Sequence, residues 1–119
     1  MAEKVTIRVY EVVGSELCVA SDDGQKVHDQ IAAALKEGRT VQVSFQNVKS
    51  LTSAFLNAAV GQLYGEFSDK KIKASLSVAN MEQDDLLLLK RVVDTAKQYF
   101  KNPDRIAKAR KEVLGGDEK

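Results

Sequence analysis

The sequence predicts an α/β fold: a two-layer sandwich in which a mixed β-sheet of about four strands has helices mainly on one face. Two observations support this prediction. Apolar and polar residues alternate in the strands 4–12, 40–46 and 71–78, so each strand buries one face, whereas strands covered on both faces would be continuous apolar runs. Strands 40–46 and 71–78 also flank a helix, so we expect them to be parallel and joined by a right-handed crossover.

In the first third of the chain, the spacing of apolar residues predicts the strands and helices, and glycines mark where they end. Gly14 breaks the strand 4–12, and residues 17–20 form either a short second strand or an extended approach to the next element. A helix over about 22–37 follows, for which Ser21-Asp22-Asp23 supplies a cap and early acids. Its core positions recur at helical spacing: Val27, Ile31, Ala34 and Leu35.

The centre of the chain combines a strand, a polar turn and a densely apolar helix. Strand 40–46 leads to Ser50, Thr52 and Ser53, so three hydroxyl side chains crowd one helix start. The first half of that helix is apolar nearly all round, which indicates either deep packing or an apolar surface for a partner. Its main stripe consists of Leu56, Val60, Leu63 and Phe67.

The second half repeats the order of strand and helix. After strand 71–78, Asn80 is the predicted cap of a longer helix, with Gln83 at the capping-box position, and Asn102-Pro103 ends it. A final short helix is predicted over about 104–113. The stripe predicted to face the core on the longer helix consists of Leu86, Leu89, Val93, Ala96 and Phe100.

Length and composition describe one ordinary folded domain. The chain has 119 residues, of which 44% are hydrophobic and 29% charged, so we expect a single domain over 1–114 and a polar tail over 115–119. A formal net charge of +1 gives no field that would attract nucleic acid or an anionic membrane. The start of the chain shows no export signal, so we expect a cytoplasmic protein.

The residue inventory gives little support for catalysis or metal binding. Cys18 is the one cysteine and His28 the one histidine, which excludes an internal disulfide and a multi-cysteine or two-histidine metal site. We expect Cys18 to be a buried hydrophobe and His28 to lie on the surface. No serine has nucleophile-elbow spacing, and there is no glycine-rich phosphate loop. We therefore expect no enzyme activity, no cofactor and no metal.

A resemblance to a known family links the fold to a function. Residues 42–57 resemble the central signature of STAS domains, which are named for sulphate transporters and anti-sigma-factor antagonists, and look closest to the soluble STAS-like family of unknown function. Ser53-Ala54-Phe55-Leu56 is similar to that family's serine-phenylalanine-leucine helix start, either with an alanine inserted after the serine or, equally well, with Ser53 aligned on the serine that regulatory STAS domains use as phosphate acceptor. Ser21-Asp22-Asp23-Gly24 resembles the family's serine-to-glycine turn. Two positions differ, because Ser44 and Thr52 stand where acidic residues are usual.

The resemblance implies a non-enzymatic regulatory protein-interaction module of bacterial-type signalling. Its implied partner is an ATP-dependent serine kinase of the histidine-kinase-like ATPase fold. Ser53 is the first candidate phosphate acceptor and Thr52 the second, and Leu51, Phe55 and Asn57 are candidate partner-binding residues. A phosphate would add about −1.5 to −2 charges beside apolar groups and would release a partner by repulsion and desolvation.

Several alternatives remain open at this stage. Any of the three hydroxyls could simply cap the helix. The helix start at Ser53, with nearby lysines, could instead bind a nucleotide or another anion, which would make the chain a small-ligand-binding domain. A homo-oligomer could form through Phe55 and the leucines off the stripe, Leu87 and Leu88. Nucleic acid is not favoured, since the basic residues of the last helix have no interleaved aromatics.

Overall fold

The computed structural model describes residues 3–101, which form two small parallel sheets and five α-helices. None of the helices in this described part is long and apolar enough to cross a membrane. In chain order the elements are β1 (Lys4–Arg8), α1 (Val9–Val13), β2 (Leu17–Cys18), α2 (Ser21–Lys36), β3 (Thr40–Ser44), β4 (Ser50–Leu51), α3 (Ser53–Ala59), a 3-10 turn (Gly61–Gly65), α4 (Asp69–Ser75), β5 (Leu76–Ala79) and α5 (Gln83–Lys101).

The strands divide between two sheets. The larger sheet has the order β1-β3-β5, and the smaller one pairs β2 with β4. The α/β class and the parallel pairing of β3 with β5 are confirmed. The predicted single mixed sheet of about four strands is replaced by sheets of three and two strands, in which every pair within residues 3–101 is parallel.

The larger sheet buries one face, in agreement with the alternation in the sequence. Register places the apolar side chains in two rows across the strands, and the polar side chains between them point to the other face. Thr6 and Ser77 are exposed there. The two apolar rows are Val5, Val41 and Leu76, and Ile7, Val43 and Val78.

Two of the predicted strands are too long, because the chain is helical over Val9–Val13 and Asp69–Ser75. The Ser68 hydroxyl accepts the Lys71 N–H at 3.1 Å and so starts α4, which the prediction of a strand over 71–78 missed. Only Ile72 is buried in this short helix. One buried position cannot distinguish helical spacing from strand alternation, so the sequence pattern of this segment fits a strand as well. In the strand predicted over 4–12, the extended chain likewise ends at Arg8.

The helix predicted to continue to Phe67 ends much earlier. It stops at Ala59, and a 3-10 turn over Gly61–Gly65 follows. At Gly61 a Cβ would clash with the side-chain amide oxygen of Asn57, so this part of the turn lies directly against an α3 side chain. The apolar stripe is nevertheless buried as predicted at Leu56, Val60 and Leu63.

Asn80 has a different role from the predicted helix cap. Its backbone is left-handed, with a φ of 61°, and its side-chain oxygen accepts a hydrogen bond from the Ser44 hydroxyl at 2.9 Å. The helix α5 begins later, at Gln83, and turns Val92 and Ala96 into the core. Two residues of the predicted stripe, Leu86 and Phe100, are therefore exposed. The predicted helix 104–113 and the tail boundary at 115 lie outside the described residues.

The prediction of a surface histidine is wrong. His28 is 6% exposed, and its Nε2 lies 2.9 and 3.0 Å from the two carboxylate oxygens of Glu66. Glu66 follows the 3-10 turn, so its contact with His28 joins that turn to α2. The other ring nitrogen, Nδ1, lies 3.0 Å from Oδ1 of Asp29, and hydrogen bonds from His28 and Gln25 lower the pKa of that carboxyl.

Within residues 3–101, no group of three or more His, Cys, Asp or Glu residues is placed to hold a metal ion.

The helices α2 and α3 make the most extensive contact between described elements. Gly24 allows this contact, because a Cβ there would clash with the Phe55 carbonyl oxygen and approach the Ala58 Cβ to 2.9 Å. Phe55 itself is fully buried. The first turn of α2 therefore lies directly against the backbone of α3.

Gly24→Ala should destabilise the protein, although alanine is ordinarily the better helix former by about 1 kcal/mol. Pushing two packed backbones apart typically costs about 1–3 kcal/mol, which exceeds the helix-propensity gain, so we expect a net loss of up to about 2 kcal/mol in the free energy of unfolding. Urea denaturation followed by circular dichroism measures it. Gln30→Ala, at an exposed position of the same helix, is the control and should change stability little. A stabilised Gly24→Ala variant would contradict the close packing.

Cys18 is fully buried, as predicted for a lone cysteine in an apolar run. Burial, and secondarily the charge of Asp23, raises the pKa of its thiol to about 11. Because only the thiolate is nucleophilic, the folded protein should be nearly inert to alkylation at neutral pH.

Iodoacetamide at pH 8 should modify Cys18 at least about a hundredfold faster in urea than in the native state, because unfolding returns the thiol pKa to near 8.5 and exposes the sulfur. Mass spectrometry of timed samples gives both rates. Equal rates would mean that the thiol is accessible in the folded protein.

Candidate functional site

Thr52 is the hydroxyl residue that caps α3. Its Oγ1 accepts the Phe55 N–H at 3.2 Å and donates to the Val19 carbonyl oxygen at 2.7 Å. The side chain therefore satisfies the helix start and also joins it to the segment that leads into α2. Phosphorylation of Thr52, the second candidate acceptor, would remove the proton that its hydroxyl donates to the Val19 carbonyl oxygen and so break the link to that segment.

Ser53, the first candidate acceptor, is placed differently. It is the first residue of α3 and is exposed, and its hydroxyl makes no hydrogen bond to any residue of the described chain. The third hydroxyl residue, Ser50, lies in β4, paired with Leu17, and does not cap the helix. Three hydroxyls that are equivalent in the sequence therefore have three distinct environments, and only Ser53 is an exposed hydroxyl at the helix itself.

Ser53 lies at one end of a surface groove between α3 and α5, which we call the α3–α5 groove. The groove consists of two neighbouring cavities of about 450 Å³ each, which share the residues Ala54, Asn57 and Thr95. The cavity at the Ser53 end is also lined by Leu88, Arg91 and Val92. The other cavity extends to Gly61, Tyr99 and Phe100.

Arg91 is the positively charged residue among those that line the cavity with Ser53. It is exposed and makes no ion pair with the described residues. A negative charge placed on Ser53 would therefore lie in the same cavity as a guanidinium that no described carboxylate pairs, which favours charge-assisted pairing. The N-terminus of α3 contributes less than Arg91 to attracting a phosphate. Thr52 already accepts the Phe55 N–H, and α3 has only seven residues.

The three predicted partner-binding residues are not equivalent. Asn57 is exposed and lines both cavities of the groove. Leu51 is half-buried in β4. Phe55 is fully buried, so its side chain supports α3 from beneath and offers no surface to a partner.

The wall of the groove on α5 was not identified from the sequence as part of the site. Its residues recur at intervals of three and four, which places them on one face of a helix. The sequence already places Leu88 off the predicted core stripe. The other wall residues follow from it at the same spacing of three and four, so the sequence contained a signal for them. These wall residues are Leu88, Arg91, Thr95 and Tyr99.

Comparison with known proteins identifies the family. Residues 23–86 match the model of a family described as a STAS-like domain of unknown function (DUF4325), which covers more than half of the chain. The chain belongs to this STAS-like family. No curated protein and no solved structure matches it significantly. The match includes Ser53 and ends in the first turn of α5, so the α3 wall of the groove lies inside it and Arg91, Thr95 and Tyr99 lie beyond it.

The two neighbouring hydroxyls should respond differently to removal. Thr52→Ala deletes the cap and the link to Val19, and should lower the free energy of unfolding by about 0.5–2 kcal/mol. Ser53→Ala removes a hydroxyl that bonds to none of the described residues, and should change the free energy of unfolding by less than about 0.5 kcal/mol. Urea denaturation of both variants measures the difference, and equal effects would contradict this assignment of the cap.

Proposed function

We propose that this STAS-like domain is a non-enzymatic regulatory module that binds a partner protein through the α3–α5 groove and is controlled by phosphorylation of Ser53. The observation that best supports the proposal is the exposed Ser53 hydroxyl at the end of the groove, which bonds to no residue within 3–101, beside a Thr52 that caps the helix. Ser53 is thus free to be modified without loss of the helix cap.

The groove has the composition of a docking surface. Its α3 side presents the small side chain of Ala54, and its α5 side presents Leu88 and Val92. Asn57 and Thr95 add hydrogen-bonding groups along it. Apolar concave surfaces with a few polar groups are typical binding sites.

Phosphorylation would change this surface and not the fold. A phosphoserine at position 53 would add about −1.5 to −2 charges at the end of the groove, where a docked apolar partner surface would desolvate them. Arg91, which has no ion-pair partner within residues 3–101, would hold the phosphate across the groove and so occupy part of the docking surface. We propose that the modified form releases the partner.

The partner class follows from the family resemblance. Regulatory STAS domains are partners of serine kinases with the histidine-kinase-like ATPase fold, and we propose a partner of that class in the bacterial cytoplasm. A kinase partner would both dock on the groove and modify Ser53. The chain itself would then need no catalytic residues.

A phosphate mimic at position 53 should weaken docking. Ser53→Asp should raise the dissociation constant for the partner ATPase at least about tenfold, which corresponds to about 1.4 kcal/mol, whereas Ser53→Ala should leave it within about threefold. The measurement is a calorimetric titration of purified candidate ATPases encoded beside this protein's gene. Ser77→Asp, on the exposed polar face of the sheet, is the charge-matched control and should behave like the unaltered chain.

The same mixture with ATP should yield a phosphorylated species that Ser53→Ala abolishes. Modification that persists in Ser53→Ala would exclude Ser53 as the acceptor. Titration of the isolated domain with ATP and GTP tests the competing small-ligand function, which tight binding there would favour. Light scattering tests a homo-oligomer, for which the exposed Leu87 is available.

A further inference from the structure

The α3–α5 groove is almost uncharged. Among the described residues that line its two cavities, Arg91 is the one with a charged side chain. The other lining residues are apolar side chains, a glycine and uncharged polar groups such as Asn57 and Thr95. No described Asp or Glu lines the groove, so a partner that enters it meets a single full charge.

This charge lies at one end of the groove. Arg91 shares its cavity with Ser53. The other end is closed by the rings of Tyr99 and Phe100, which pack edge to face with their centroids 4.8 Å apart. Along α5, the rise from Arg91 to Tyr99 is about 12 Å. The groove therefore has a direction, with a cation at the Ser53 end and aromatic side chains at the other.

Arg91 differs from two other cations of the same helix in its lack of a carboxylate partner. Lys90 lies 3.3 Å from the carboxylate of Asp94, and Lys97 lies 3.5 Å from that of Asp69. None of the described carboxylates lies within ion-pair distance of Arg91, which is exposed. Its charge therefore contributes no ion pair to the described part of the fold.

A partner that covers the groove would remove the Arg91 guanidinium from water. A charge that is buried without a counter-charge is strongly unfavourable, so the covering surface has to supply an anion at this position. A carboxylate matches the planar guanidinium well, because its two oxygens accept two parallel N–H groups. A wholly apolar partner surface would therefore lose affinity at the Ser53 end of the groove.

We propose that the partner docks an apolar segment in the α3–α5 groove, that an Asp or Glu side chain of this segment pairs with Arg91, and that phosphorylated Ser53 releases the segment by binding Arg91 in place of that carboxylate. The inference rests on the proposed function, to which it adds the chemistry of the partner and the mechanism of release. The apolar side chains of the segment would extend from Arg91 toward Phe100.

A phosphate on Ser53 has two advantages over the partner's carboxylate. It carries about −1.5 to −2 charges at neutral pH, whereas a carboxylate carries one. It is also attached to the same cavity that Arg91 lines, so the pairing is intramolecular and has a high effective concentration. Once the phosphate holds the guanidinium, the partner's carboxylate meets a like charge. Phosphorylation therefore removes an attractive contact and creates a repulsive one.

Substitutions at Arg91 test the contact with the partner. Candidate ATPases encoded beside this protein's gene are titrated by calorimetry with the unaltered full chain, Arg91→Gln and Arg91→Glu. Arg91→Gln should raise the dissociation constant at least about tenfold, because it leaves the partner's carboxylate without a counter-charge, and Arg91→Glu should raise it further. The matched control is Arg8→Gln, which removes an exposed arginine on β1 outside the groove and should change the constant by less than about threefold.

A charge swap identifies the partner's carboxylate. Single acidic-to-lysine variants of the partner are titrated with Arg91→Glu, and one of them should restore most of the lost affinity. The same partner variant should bind the unaltered chain weakly, because its lysine then faces the Arg91 guanidinium.

The phosphorylated domain alone tests the exchange at Arg91. With phosphoserine incorporated at position 53, the second pKa of the phosphate should be lower in the chain that contains Arg91 than in Arg91→Gln, because the guanidinium stabilises the dianion. Phosphorus NMR measures this titration. Arg8→Gln should titrate like the chain with both arginines. Equal titrations in all three chains would overturn the exchange.

The outcomes distinguish this inference from the function on which it rests. Partner binding that Arg91→Gln leaves unchanged, or that no acidic-to-lysine variant restores in Arg91→Glu, would refute the carboxylate contact and leave the proposed regulatory function in place. Failure of every candidate ATPase to bind the unaltered chain would refute the proposed function and this inference with it. Self-association that Arg91→Gln abolishes would overturn the assignment to a partner and give the groove to a second copy.

Discussion

The close approach of α2 to α3 at Gly24 is the constraint on which the rest of the site depends. With no Cβ at this position, the Phe55 carbonyl can lie against the first turn of α2, and the Phe55 ring is buried completely. The Thr52 hydroxyl joins the same two elements by donating to Val19 just before α2 begins. The two helix starts are thereby held side by side, and Ser53 is left facing outward.

The division between Thr52 and Ser53 follows from this arrangement. A cap residue directs its hydroxyl back to the first free amides, whereas the next residue begins the helical turn and directs its side chain away. The Thr52 hydroxyl thus stabilises the helix start, whereas the Ser53 hydroxyl is exposed to solvent. A phosphate on Ser53 would therefore alter the surface of the domain without removing the hydrogen bonds that Thr52 makes at the helix start.

Sequence periodicity correctly predicted the elements whose buried face extends over several turns or several strand residues. The helix α2 and the strand β3 have apolar faces that repeat over several residues, and their positions agree closely with prediction. The short helix α4 was missed because one buried residue, Ile72, fits a helix and a strand equally well, and the Ser68 cap decides between them. His28 was misplaced because its partner, Glu66, comes from a distant part of the chain.

The sequence by itself determined the α/β class, the parallel pairing of β3 with β5, the helix start at Ser53 and, through residues 42–57, the STAS-like family. These follow from local patterns of polarity and from one short motif. Only the tertiary structure decided which hydroxyl caps the helix, that Phe55 is buried, and that Leu88 and Arg91 face Ser53 across a groove. The cap itself is a local contact between Thr52 and Phe55, but the hydrogen bond from Thr52 to Val19 joins segments far apart in sequence. The burial of Phe55 and the groove also depend on such distant segments, because the packing of one helix against another is set by three-dimensional fit, which local periodicity does not specify.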